Sequence, residues 1–274
     1  MLSGLALITG ASSGIGYAFA QRLAADGYDL IIVGRREERL RSLAAATSNV
    51  SVDVVVADLA TREGIDAVAN LCASRPLTML VNNAGLAHYM PMTDLLAAQA
   101  SELVHVKTLA PILLTRAALG GMLARQAGTI LTVAGMIAFS GPAPAAPAPG
   151  QRAVYTGTLA GALAMSQTLN AELVATGVSA HVICPGIVAT EFHEVQGMDL
   201  SAIPRMSPSD VVTAALTGIT LGEVVIAPGV EDPTLLETVF AADLAAFHNQ
   251  SPELASRYRP TTAPPTEQDR PVRG

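Results

Sequence analysis

The chain has 274 residues, half of them hydrophobic and 14% charged, with a formal net charge of −7. Such a composition supplies a large buried core and argues against a disordered chain. The acidic balance, without a basic patch, argues against nucleic acid as a partner. Two cysteines, Cys72 and Cys184, stand far apart with no metal-ligand spacing, which reads as reduced core thiols in a cytoplasmic protein that holds no metal.

The opening MLSGLALITG has no basic start and runs into a glycine-rich turn, so it reads as a strand and not a signal sequence. No run of about 18 apolar residues is expected to span a membrane. Strands are expected at residues 5–9, 30–34, 51–56, 78–82, 129–134, 179–184 and 224–226, with helices such as 14–26, 36–47, 93–120 and 155–176 between them. Short β-branched runs alternating with helix-length segments predict parallel βαβ units, a doubly wound α/β fold with helices on both faces of a mostly parallel sheet. Apolar residues on both sides of the strands fit burial on both faces. One domain is expected over residues 1–258, since no linker interrupts the ladder, with a proline-rich disordered tail at 259–274. A proline-alanine loop occupies 142–150, and no internal repeat is found.

After the first strand comes Thr9-Gly10-Ala11-Ser12-Ser13-Gly14-Ile15-Gly16, opening a helix. Glycines at this spacing permit a tight turn and bring the backbone close to a pyrophosphate on the helix N-terminus. The second strand ends Val33-Gly34-Arg35-Arg36, with no carboxylate at its tip to hold a ribose 2′-hydroxyl. Arg35 and Arg36 instead suit a 2′-phosphate, which favours NADP(H) over NAD(H). Asp58, after the third strand, is placed either to touch the adenine edge or to cap a turn.

The Thr9–Gly16 turn, Asn82-Asn83-Ala84-Gly85 after the fourth strand and Pro185-Gly186-Ile187-Val188-Ala189-Thr190 after the sixth occur in the order and at the intervals of the classical short-chain dehydrogenase/reductases, which the chain resembles from about residue 3 to 230. The resemblance implies a seven-stranded Rossmann sheet, a nicotinamide cofactor and hydride exchange between carbonyls and alcohols. It places Asn83, Ala84, Gly85, Pro185, Gly186 and Val188 beside the cofactor, Thr190 at its nicotinamide end, and residues 191–206 as a lid. It also implies a homodimer or homotetramer, and the small residues Gly157, Ala160, Gly161 and Ala162 suit either helix pairing between copies or tight packing within one.

The family's chemistry uses an asparagine, a serine, a tyrosine and a lysine. Only the tyrosine is kept, as Tyr155, the expected acid–base. Leu159 stands where the lysine belongs, Gly135 where the serine belongs, and Lys107 where the asparagine belongs. Lowering a tyrosine from about 10 to about 7 stabilises its ionised form by roughly 4 kcal/mol, which needs a cation. Lys107 is the chain's one lysine beside fifteen arginines, on the stripe Leu103–Lys107–Ala110–Leu114 that faces a packed surface. It is expected to supply that cation from the opposite helix, or else to pack its stem and reach for water. A hydroxyl from Ser140 or Thr132 is out of register to replace the serine, whereas His88 and His193 flank the expected substrate mouth. The leading reading is an NADP(H)-dependent oxidoreductase for a small, largely apolar carbonyl or alcohol. The alternative is a catalytically degenerate relative that binds a cofactor as a regulator or partner, or acts as a lyase or cyclase.

Overall fold

The structure, a computed structural model, describes residues 4–139 and 152–259. Its contacts divide the chain into two compact units, one ending at Gly229 and the other starting at Val230. Ser140, the 142–150 loop and residues 260–274 of the expected tail lie outside the described residues.

In the first unit the strands are β1 (Leu5–Thr9), β2 (Asp29–Gly34), β3 (Val52–Val56), β4 (Met79–Asn82), β5 (Gly128–Val133), β6 (Val178–Ile183) and β7 (Val225–Ile226). Every strand bound falls within one residue of its expectation. All pair in parallel, in the order β3-β2-β1-β4-β5-β6-β7. The order reverses between β1 and β4, the point at which open α/β sheets form a crevice beyond the carboxyl ends of their strands. Register aligns Thr9 with Val33, Asn82 with Thr132 and Val133 with Ile183, so the loops that follow these strands emerge side by side.

The helices are α1 (Gly14–Ala25), α2 (Glu37–Ala46), α3 (Arg62–Ser74), α4 (Ala97–Val104), α5 (Ala110–Arg125), α6 (Ala153–Glu172), α7 (Phe192–Val195) and α8 (Pro208–Leu221). One face of the sheet packs Ala6, Ile8, Leu30 and Ile32 with Phe19 and Leu23 of α1, Leu40 of α2 and Val211 of α8. The other packs Leu7, Ile31, Leu80 and Ile130 with Ile65 and Val68 of α3 and Leu114 of α5. A third cluster, including Leu103, Ala134, Tyr155, Leu159 and Cys184, lies at the site end. Thr61 caps α3 by accepting from the Gly64 amide at 3.1 Å, and Ser207 caps α8 through the Asp210 amide at 3.0 Å, with Pro208 in the first turn.

The helix expected over 93–120 is corrected. It begins at Ala97, runs to Arg125, and is interrupted at His105–Leu109 by a π-helical turn between α4 and α5. Pro111 accounts for the interruption: it has no amide to bond the Lys107 carbonyl four residues back, and its ring crowds that carbonyl. The run Ala97–Arg125 is also long and apolar enough to cross a membrane by length and composition, unlike the expectation from sequence. Its α5 part packs against α3, β4 and β5, and 44% of the apolar window is buried. Both cysteines are free and buried, and burial pushes their thiols up to about 12, so neither is a thiolate at neutral pH.

The second unit contains α9 (Thr234–His248), which exposes Leu235, Val239, Leu244 and Phe247, and a short 3₁₀ turn at Ser256–Tyr258.

Candidate active site

The loops after β1, β2, β4, β5 and β6 enclose one cleft of about 610 Å³ that runs from the glycine turn to Tyr155. At its first end Gly10 and Gly14 have φ of +69° and +56°, which side-chain-bearing residues rarely adopt. A methyl on Gly10 would lie 2.8 Å from the Ala84 backbone, and one on Gly14 would lie 3.0 Å from the Thr190 methyl. The turn is tied to β4: Thr9 Oγ1 accepts from the Asn83 and Ala84 amides at 2.9 and 3.0 Å, and Asn83 Nδ2 donates to the Thr9 carbonyl at 2.8 Å. Ser13 precedes α1 without a side-chain cap, so the first amides of that helix open on the cleft.

Among the expected cofactor residues, Gly10, Ser12, Ser13, Gly14, Ile15, Arg35, Arg36, Asp58, Asn83, Ala84, Gly85, Pro185, Gly186, Val188 and Thr190 all line the cleft. Thr9 and Gly16 lie beneath its wall; the Thr9 side chain is buried, and Gly16 backs on the Gly10 carbonyl. The two arginines differ. Arg36 donates to Ser12 Oγ at 3.0 Å and Ser13 Oγ at 2.7 Å, against the glycine turn, whereas Arg35 lies 3.8 Å from both Asp58 and Glu102. Asp58 lines the cleft and also accepts from the Ala60 amide at 3.0 Å, so it caps a turn as well.

Glu191, directly after Thr190, pairs with Arg36 and with Arg39, the latter at 2.7 Å. Partial burial pushes this carboxyl up, but hydrogen bonds from Arg39, Ser13 and Arg36 outweigh it and hold the group down to about 2. The expected lid therefore begins with an anion seated on the arginines of the phosphate end. A parallel bridge between Val188 and Met206 closes the base of that segment.

At the other end Tyr155 sits in the first turn of α6, 7% exposed. Its ring meets that of Tyr89 edge-on, with centroids 5.5 Å apart, and both phenols line the cleft. Burial pushes the Tyr155 phenol well above its usual range, Tyr89 adds to the rise, and Arg152 opposes it. Leu159 packs where a methyl on Gly135 would meet it at 3.5 Å.

Lys107 projects from the π turn into the same cleft and is 7% exposed. Its ammonium donates to the Val133 carbonyl at 3.0 Å and would stand 3.2 Å from a methyl on Gly85. Burial pulls the ammonium down to about 8, with Cys184 opposing. Of the two histidines, His193 lines the cleft and stacks on Tyr89 at 6.4 Å, while His88 turns to Glu102 at 3.1 Å. Burial also lowers the His193 pKa, and Arg205 adds to the fall. Thr132 is buried within β5.

Tyr89, Arg152, Phe192 and Glu191 are cleft residues that sequence reasoning does not single out. The available signals are slight: a tyrosine four residues after the Asn-Asn-Ala-Gly turn, and an arginine three residues before Tyr155.

The short chain dehydrogenase family model matches residues 4–200. An uncharacterized oxidoreductase of Staphylococcus epidermidis is 31% identical over 218 residues, 79% of this chain and 90% of that one. A short-chain dehydrogenase of Sphingobium yanoikuyae, solved with NADPH, superimposes with a TM-score of 0.87 at 29% identity, over 93% of this chain and all of that one. The bulky-bulky ketone specific alcohol dehydrogenase of Comamonas testosteroni gives 0.85 at 26% identity, over 95% of this chain and all of its own. With the motifs, the sheet order and the cleft in agreement, the chain belongs to the short-chain dehydrogenase family.

Proposed function

We propose that this oxidoreductase takes NADP(H) and reduces an apolar ketone to its alcohol in the cleft between the glycine turn and Tyr155. The observation that carries the reading is the continuity of that cleft, which an anion-ready helix end and a buried phenol both line. The residues present fit the cofactor. Gly10 and Gly14 leave the backbone bare, the α1 amides suit a pyrophosphate, and Arg36 with Arg39 suits a 2′-phosphate. The NADPH complex of the Sphingobium relative supports the same cofactor.

When bound, the nicotinamide supplies the hydride for reduction at the substrate carbon. Tyr155 donates its hydroxyl proton to the substrate oxygen. A phenol held above its ordinary range stays protonated at neutral pH but is a weak acid there, so the reading needs a cation in the complex that eases loss of the proton. Lys107 supplies positive charge beside Gly85 in the same cleft, suited to holding the cofactor, and is the cation proposed to ease ionisation of Tyr155 once the cofactor is bound. Phe192, His193 and Tyr89 give the mouth an aromatic wall suited to an aryl ketone. The Comamonas relative, a ketone-specific alcohol dehydrogenase, supports that substrate class. Copies are proposed to pair through α6, whose exposed Gly157 and Gly161 have open space before them.

One observation favours the second reading, a cofactor-binding protein without redox turnover: Leu159 packs beside Gly135 where the family resemblance places lysine and serine. Titrating NADPH by its fluorescence and then adding aryl ketones separates the two. Binding with oxidation supports the reductase; binding without oxidation across the panel supports the second reading.

A further inference from the structure

The cleft holds a second phenol that the family resemblance gives no part. Tyr89 lies in the loop after β4 and lines the same cleft as Tyr155, against whose ring it packs. Their rings cross at 67°, with centroids 5.5 Å apart. His193 stacks on Tyr89 at 6.4 Å and Phe192 tilts against Tyr155 at 6.3 Å, so each ring has an aromatic neighbour. The end of β5, where a serine would stand, offers Gly135 and no hydroxyl. A carbonyl oxygen accepts two hydrogen bonds, and this cleft presents the O–H groups of two packed phenols.

We infer that Tyr89 is a catalytic residue: its hydroxyl donates to the substrate oxygen in place of the missing serine and returns a proton to Tyr155. The inference rests on the reductase reading above. As the substrate oxygen takes the Tyr155 proton, the phenolate left behind accepts the proton of Tyr89, whose own is replaced from water at the open mouth. Two adjacent phenols resist ionising together, so the pair passes one proton at a time. The charged and titratable groups around it are Arg152 at the start of α6, His193 from α7 and Lys107 from the π turn, all lining the same cleft. Arg152 favours the ionised form of both phenols.

Tyr89→Phe keeps the ring and its edge contact while removing the hydroxyl, so a merely structural role predicts no loss. With NADPH and acetophenone, the variant is expected to lose about 10²-fold in kcat, with NADPH affinity unchanged. Ultraviolet difference titration of the cofactor-free chain gives a second readout with opposite signs. Tyr89→Phe moves the Tyr155 ionisation to lower pH, and Tyr155→Phe moves that of Tyr89 to higher pH. Full turnover in Tyr89→Phe, or titration curves that neither variant shifts, overturns the inference while the reductase reading stands. A wild-type chain that oxidises no NADPH with any aryl ketone overturns the reductase reading itself, and Tyr89's catalytic part with it.

Discussion

Lys107 is the residue whose surroundings say most about what the site trades for function. Its ordinary value of 10.5 falls to about 8 on burial. Below about pH 8 the ammonium is charged in both folded and unfolded chains, and its burial cost of roughly 3 kcal/mol is present in full. Between about 8 and 10.5 the unfolded chain holds a proton that the folded one has released, so stability rises with pH as the cost fades. Lys107→Met is therefore expected to stabilise the fold at pH 7 by up to about 3 kcal/mol and to flatten that rise, while slowing turnover. Denaturant unfolding at pH 7 and pH 10 checks it; a Met variant less stable at pH 7 would mean that the buried ammonium carries no such cost. Glu191 gives a second residue-scale expectation. Its carboxylate occupies Arg36 and Arg39, the guanidinium groups proposed for a 2′-phosphate. Glu191→Gln should tighten NADPH several-fold and leave NADH nearly unchanged, as measured by fluorescence titration. Equal gains for both cofactors would place the 2′-phosphate elsewhere. Tyr155 and Lys107 are legible in the sequence because a motif and a count point to them. Tyr89 and Glu191 are not, since each acts through a partner distant in sequence, which spacing along the chain does not encode; Arg152, three residues before Tyr155, belongs to no motif that would mark it.

At the scale of elements, the strands are legible to within a residue because apolar runs buried on both faces leave few competing assignments. The sequence reads as one continuous helix over 93–120, although Pro111 carries the warning. A missing amide displaces the hydrogen-bond ladder upstream, and the π turn that results carries Lys107 into the cleft. The glycine turn supplies the prediction at this scale. Gly14→Ala places a methyl at φ +56° and 3.0 Å from Thr190, against both the left-handed backbone and the segment after β6. The backbone strain alone costs about 1–2 kcal/mol. NADPH binding should weaken at least tenfold in a titration; an unchanged affinity would mean that Thr190 yields and the turn does not set the cofactor's seat.

For the whole molecule, the fold class and the cleft's position follow from the strand order, whose reversal between β1 and β4 locates the crevice whatever the side chains. Motif glycines make that half of the site readable. The substrate half depends on loops after β4 and β6, where periodicity carries no signal. Gly157 and Gly161 of α6 face open space, and close helix pairing between copies needs that bareness. Gly161→Arg should reduce the mass in light scattering to that of one chain; an unchanged oligomer would place the contact on another surface.

Everything proposed for the site depends on Tyr155 as the proton donor in an NADPH-dependent ketone reduction. The deciding experiment is steady-state NADPH oxidation with acetophenone by wild type and Tyr155→Phe, with NADPH affinity followed in parallel. Turnover is expected in the wild type, with a loss of at least about 10²-fold in the variant and equal NADPH affinity in both. A wild type that binds NADPH but does not oxidise it with the ketone, or a variant that turns over as fast, would refute that role.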